Sequence, residues 1–370
     1  MGEGDLLRDG RGRVVRYLRI SITDRCNLRC RYCMPPGGVP YLSPGRVLGY
    51  EQIVDLAGLL VSRGVDKIRV TGGEPLVRRG VGDLFAMLGG VPLRELTLTT
   101  NGLLLEEHAQ ELARAGVRRV NVSLDSLRPD RYREITGTDG LQRVLGGIHR
   151  AKELGMGVKI NTVVMEGVNR GEAADLLRFA MERSCHVRFI ELMPHAHNAH
   201  LHRALYVPAG EVLRSLRRAL PVEELDRDAG AGGSSTERMY RVRGTRATFG
   251  LISPLSRHFC DRCDKIRITP EGGLKVCLFG DAISLREGLR RYREGEGPGP
   301  LMGTVSAALA CKRACHDLAC GSAPSRTGVP LGKAADAAPG GTADAGAAPG
   351  TAEDSGAGRG AGLVMHRTGG

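Results

Sequence analysis

The chain has 370 residues, 25% of them charged, and a formal net charge of +12. That length is enough for two domains of ordinary size, and the positive balance favours an anionic partner such as a nucleotide. Aromatic residues make up 4% and Trp is absent, which argues against base-stacking platforms, and no run approaches the length of a membrane span.

The opening Met-Gly-Glu-Gly-Asp-Leu-Leu-Arg-Asp-Gly lacks the apolar stretch of a signal peptide. A cytoplasmic protein is therefore expected, with neither a membrane nor a nucleic acid as partner. Its ten cysteines read as reduced thiols available to metal rather than as disulfides.

Residues 14–215 repeat a strand-then-helix rhythm. Strand-like runs fall at 18–23, 67–71, 96–100, 120–124, 158–164 and 187–192, with helix-period stretches at 51–63, 106–115, 141–154 and 172–182. Apolar, β-branched strands alternating with helices predict an α/β fold with a parallel sheet under helices. In barrels of that kind the chemistry sits at the carboxyl ends of the strands.

The first strand runs directly into Cys26, Cys30 and Cys33. A short loop with that spacing wraps three corners of a cubane cluster; zinc is the alternative, although zinc sites usually close with a fourth ligand. The second strand ends in Gly72 and Gly73, a turn or a close backbone approach to a ligand. A second triad, Cys260, Cys263 and Cys277, reads by residues alone as another open cluster site or a zinc ribbon short of one ligand.

Four further features stand apart. The glycines of 225–237 form a loop without the strand and helix of a phosphate cradle. His195, His197, His200 and His202 match no standard metal spacing. Cys311, Cys315 and Cys320 form a third group whose spacing departs from the first triad by one residue. Beyond Ser322 the composition turns to Ala, Gly, Pro, Ser and Thr, and a disordered tail is expected.

The first triad, with Tyr32 just before its last cysteine, resembles the radical S-adenosylmethionine (SAM) superfamily. That resemblance implies a partial (β/α)6 TIM-type barrel. It also implies a [4Fe-4S] cluster on Cys26, Cys30 and Cys33 whose open iron binds SAM, with cofactor contacts at Tyr32, Gly73, Ser123 and Met193. A narrower resemblance rests on Arg-Ile-Ser-Ile-Thr-Asp-Arg-Cys, Thr-Gly-Gly-Glu-Pro-Leu-Val-Arg-Arg, Thr-Thr-Asn-Gly, Arg-Phe-Ile-Glu-Leu-Met-Pro and the block from Cys260 to Phe279, in that order. Together they are similar to the GTP 3′,8-cyclase family of molybdenum-cofactor biosynthesis.

This family resemblance implies a second [4Fe-4S] cluster, on Cys260, Cys263 and Cys277, which binds the guanine of GTP. GTP contacts are implied at Arg19, Arg69, Thr99, Lys159, Lys265, Ile266 and Arg267. A terminal Gly369-Gly370 is implied in turnover. The implied partners are a flavodoxin- or ferredoxin-type electron donor, a downstream cyclic pyranopterin monophosphate synthase, and a second copy of the chain as a homodimer. The expected organisation is a radical SAM core at 1–215, an auxiliary-cluster region at 216–290, a helical segment at 291–322, a linker at 323–362 and a tail at 363–370.

The family reads Asn-Arg-x-Arg after the second cysteine, whereas this chain has Asp264-Lys265-Ile266-Arg267. Lys265 lacks the fork of Arg, so weaker GTP binding is expected. The competing readings are a radical SAM enzyme acting on a peptide and a non-catalytic iron–sulfur or zinc protein that binds RNA.

Overall fold

The computed structural model describes residues 6–35, 37–195, 197–225 and 236–313. The expected linker and tail, Gly369, Gly370, Cys315 and Cys320 lie outside the described residues, as does most of the 225–237 loop.

Twelve strands form one sheet: β1 (Tyr17–Ser21), β2 (Lys67–Thr71), β3 (Glu95–Thr100), β4 (Arg119–Ser123), β5 (Gly157–Val164), β6 (His186–Glu191), β7 (Val222–Glu224), β8 (Arg238–Val242), β9 (Thr248–Ile252), β10 (Lys265–Ile268), β11 (Gly273–Lys275) and β12 (Ile283–Ser284). Their order is β12-β11-β10-β1-β2-β3-β4-β5-β6-β9-β8-β7. The run from β10 to β9 is parallel throughout, and the outer strands are antiparallel. Residues 216–290 thus supply β7 to β12, which extend both edges of the six-stranded core.

The helices are α1 (Tyr50–Val61), α2 (Val81–Gly89), α3 (Leu105–Arg114), α4 (Pro129–Thr136), α5 (Leu141–Glu153), α6 (Ala173–Glu182), α7 (Ala199–Leu205), α8 (Ala209–Ala219), α9 (Arg286–Arg291) and α10 (Gly299–Ala310). Alternation along each strand explains the layering, since successive side chains point to opposite faces. Leu18, Ile20, Ile68, Val70, Leu98, Val120, Ile160, Val187 and Phe189 are fully buried in one core with Leu56, Leu60, Phe85, Leu112, Ile148 and Leu176 from the helices. The alternate positions carry Tyr17, Arg19, Lys67, Arg69, Thr97, Asn121, Lys159, Arg188, Lys265 and Arg267.

The sheet curls round this polar face. Strands lie about 4.8 Å apart, so β1 and β6, five places apart, would be separated by about 24 Å if the sheet were flat. Yet the charge of Arg188 on β6 acts on Arg19 on β1, and Tyr17 acts on Arg188. The polar face is therefore the lumen of the expected partial barrel.

All six expected strands are present, five of them starting one residue earlier than the apolar run. The extra residues are polar lumen positions such as Glu95, Arg119 and His186. Four helices of this region, α2, α4, α7 and α8, were not named by the periodicity reading. α2 is framed by Gly80, Gly82, Gly89 and Gly90, and α4 opens at Pro129.

Candidate active site

The first cysteine loop leaves the carboxyl end of β1 and is tied down from four sides. The Gly73 N–H donates to Thr23 O at 2.7 Å, and that of Glu74 to Arg25 O at 2.8 Å. Arg29 and Arg31 donate backbone N–H groups to Thr136 and Ile135 at the end of α4. The Tyr32 hydroxyl donates to Asp125 Oδ2 at 2.8 Å. The Tyr32 carbonyl accepts from His195 Nε2 at 2.7 Å and from Asn198 Nδ2 at 3.1 Å.

Gly73 has a structural reason to be glycine: a Cβ there would stand 2.4 Å from Arg25 O. The close approach is to the cysteine loop itself. Two side chains of the histidine run, His195 and His202, are held by hydrogen bonds within the protein. His195 donates from Nε2 to the Tyr32 carbonyl, so its Nδ1 is left to accept from the His197 N–H, and burial pushes its pKa down to about 4. His202 Nε2 bonds Leu192 O at 2.9 Å.

Burial pushes the thiols of the first triad up, Cys26 to about 11 and Cys33 to about 12, with Cys30 well above the ordinary value. The three also act on one another, so they are neighbours. None of the eight described cysteines is disulfide-bonded. Among the described residues no three Cys, His, Asp or Glu converge closely enough to hold one metal ion. Three buried, neighbouring thiols fit three corners of a polynuclear cluster, whose charge would make thiolates of them.

The second triad belongs to the other end of the barrel. Cys260 opens a 3-10 turn, Cys263 precedes β10, and Cys277 follows β11. β10 runs parallel to β1 in the register Tyr17–Lys265 to Ile20–Ile268. Cys263 therefore lies beside the start of β1, and Cys26 lies beyond its end. A five-residue strand spans about 17 Å, so the two triads flank the lumen along its length.

The Cys260 carbonyl accepts from the Arg13 guanidinium. Lys312 Nζ, just past α10, donates to Cys263 O at 2.7 Å and Lys265 O at 2.9 Å. Asp9, with a fully buried side chain, accepts from Arg13 Nε at 2.7 Å and lies 4.0 Å from Lys312. Burial would raise the Cys263 pKa, but the Lys312 and Lys265 ammoniums and the Lys265 N–H bring it down.

Between the triads, Arg267, Arg19 and Arg69 occupy matched positions on the adjacent strands β10, β1 and β2. Arg69 and Arg267 each bury a guanidinium Nε that has no hydrogen-bond partner. Tyr17 softens the repulsion: Lys67, Arg69 and Lys265 lie 4.8, 5.3 and 5.4 Å from its ring centroid. Burial, aided by neighbouring cations, lowers Arg19 to about 9 and Arg188 to about 10. Lys159 falls to about 8 by burial, against the pull of Glu237.

Of the GTP contacts implied by resemblance, Arg19, Arg69, Thr99, Lys159, Lys265 and Arg267 fall at lumen positions. Ile266 does not: it is fully buried on the opposite face, cross-strand from Leu18. Asp264 and Lys265 meet each other, Lys265 Nζ lying 3.7 Å from Asp264 Oδ1. Ser123 ends β4 on the lumen face, opposite Asn161, whose buried Oδ1 has no partner. Met193 follows β6, and its carbonyl accepts from Asn198 at 3.0 Å. Sequence reading missed Tyr17, Lys67, Asn121, Arg188 and Glu237. The signal was present as an alternation of two, Tyr17/Arg19, Lys67/Arg69 and Lys265/Arg267, in strands read as apolar.

A curled parallel sheet with a three-cysteine loop at its carboxyl rim defines a radical SAM protein. The Radical SAM superfamily matches residues 20–180, and Molybdenum Cofactor Synthesis C matches residues 185–318, which include the second triad. The fold resembles crystal structures of Streptococcus suis SuiB, at a TM-score of 0.57 and 15% identity over 78% of this chain and 68% of that chain for the form bound to S-adenosylmethionine.

Curated relatives are far more similar. The GTP 3′,8-cyclase of Geobacter sulfurreducens is 47% identical over 77% of this chain and 91% of its own length. Those of Pelotomaculum thermopropionicum and Listeria monocytogenes are 43% and 40% identical over 84% and 85% of this chain and 95% and 93% of theirs. This chain belongs to the GTP 3′,8-cyclase family.

Proposed function

We infer that this chain cyclises GTP to (8S)-3′,8-cyclo-7,8-dihydroguanosine 5′-triphosphate, the entry reaction of molybdenum-cofactor biosynthesis. The observation that carries this reading is the row Arg267–Arg19–Arg69 lying between two cysteine triads. Like charges on adjacent strands are destabilising, so such a row favours a polyanion at its centre. A triphosphate meets that need, because charge-assisted bonds to phosphate are the strong ones.

When bound, the [4Fe-4S] cluster of the first triad supplies the electron that splits SAM into methionine and a 5′-deoxyadenosyl radical. The protein's share is placement. Cys26, Cys30 and Cys33 hold that cluster at one rim, and Cys260, Cys263 and Cys277 hold the guanine-binding cluster at the other. Gly73 has already given its N–H to Thr23, so its carbonyl is the group left to accept from the SAM ammonium. Tyr32, Ser123 and Met193 would contact the same cofactor. Arg19, Arg69, Lys159, Lys265 and Arg267 anchor the phosphates, and Thr99 offers a buried hydroxyl without a protein partner. Ile266 contributes through the strand that carries its neighbours.

Gly369 and Gly370 complete the site in turnover. The reading carries with it a flavodoxin- or ferredoxin-type donor as the source of that electron, a cytoplasmic setting, a downstream cyclic pyranopterin monophosphate synthase and a homodimer as the working unit. Among the described residues no helix is long and apolar enough to cross a membrane.

The reading is tested with reconstituted protein, SAM, reductant and GTP under anaerobic conditions. Wild type should yield 5′-deoxyadenosine and a cyclised nucleotide together. Arg69→Met should lose the nucleotide product by about a hundredfold or more, as expected for a buried charge-assisted contact worth ~3 kcal/mol. Deoxyadenosine with no cyclised nucleotide from wild type would refute it.

A further inference from the structure

Glu237 opens into the lumen from the residue before β8. Its Oε1 accepts from Lys159 Nζ at 3.0 Å, and its Oε2 lies 3.2 Å from His186 Nε2 and 3.8 Å from Arg188 Nε. The carboxylate is nine-tenths buried. Space for it comes from Gly250 on β9, where a Cβ would stand 2.5 Å from Oε2. Glu237 is thus an anion already seated on the cationic wall, on the side opposite the arginine row. Arg188 links the two groups, since its charge is felt by Arg19 and it feels Arg69.

We propose that Glu237 is an internal counter-anion that occupies Lys159 and Arg188 in the nucleotide-free protein and competes with the incoming triphosphate for them, thereby setting GTP affinity. The proposal rests on reading the lumen as the GTP site. Without nucleotide, buried cations need a partner, because an unpaired buried charge is strongly unfavourable. When the triphosphate arrives, the carboxylate becomes a like charge at close range, and like charges within a few ångströms oppose each other. Glu237 therefore stabilises the empty barrel and weakens the filled one.

The test is GTP binding to reconstituted protein without reductant, by calorimetry, together with thermal melts with and without GTP. Glu237→Gln should tighten the dissociation constant by about tenfold, melt earlier than wild type without nucleotide, and gain more stability than wild type when GTP is added. Glu237→Asp, which draws the carboxylate back by one methylene, should move the same way by less and covers the case in which Glu237→Gln does not fold. Unchanged or weaker GTP binding by both variants, with wild type binding GTP, overturns the proposal. Failure of wild type to bind GTP overturns the reading of the lumen instead.

Discussion

At the scale of single residues, the lumen works by holding cations where water cannot screen them. Burial lowers Lys159 to about 8, so part of its population is neutral just above physiological pH. A triphosphate favours the ammonium, so binding takes up a proton whenever Lys159 starts neutral. GTP affinity should therefore be greatest below about pH 8 and fall as pH rises through it, by up to about tenfold per unit for one lysine. A dissociation constant that stays flat between pH 7 and 9.5 would contradict this. The same shift makes the nucleotide-free protein gain stability between about pH 8 and 10.5, where the unfolded chain still binds the proton that the folded lysine has lost.

The pair Asp264–Lys265 acts at this scale too. Lys265 offers one ammonium where the family places a guanidinium fork, and 3.7 Å away it meets a carboxylate. Replacing both, Asp264→Asn with Lys265→Arg, should tighten GTP binding by about tenfold, equivalent to ~1.4 kcal/mol; titration calorimetry reads the change, and identical affinities would dismiss it. The position of the first cysteine loop and of the Gly72-Gly73 turn was legible in the sequence because such loops and turns are local, and Arg69 was named only through the family resemblance. Arg188 and Glu237 were not, because their roles depend on the sheet curling until β6 and β8 face β1.

At the scale of elements, the second cysteine turn is fixed by segments from both ends of the described chain. Gly10 N–H donates to Leu309 O at 3.1 Å, which brings Asp9 and Arg13 against the end of α10. Arg13 and Lys312 then hold the carbonyls of Cys260 and Cys263. Lys312→Met strands two buried carbonyls and leaves Asp9 with one cation fewer. It should cost about 1–3 kcal/mol of stability, and Lys312→Arg should recover most of it. Thermal unfolding measures the loss, and iron content tells whether the second cluster loosens while the first stays. A Lys312→Met protein with native melting and native iron would mean that the contacts are incidental.

The helices show the limits of periodicity. Those with long apolar stripes, α1, α3, α5 and α6, were legible to within two residues at each end. α2 and α4 were not, because glycines and a proline at their ends look like loop.

At the scale of the whole molecule, two triads are available for the two cubane clusters proposed above, and Cys311, just past α10, is exposed. Reconstituted protein should carry about eight irons per chain, unchanged in Cys311→Ala. About twelve irons, falling in that variant, would establish a third cluster. One alternative drawn from the sequence, a peptide-modifying radical SAM enzyme, loses its ground because the segment from 185 to 318 matches the molybdenum-cofactor family.

The pairing of β10 with β1 also imposes an order of events. β1 is complete at Ser21, but the strand that covers its outer edge begins only at Lys265. At a synthesis rate of about 5–20 residues per second, roughly 12–50 s separate the two on the ribosome. Through that interval the first cysteine loop exists while its neighbour strand does not, and the barrel stands open along one seam. The seam between β1 and β10 can therefore close only once residues 265–268 have been made, after every strand of the six-stranded core.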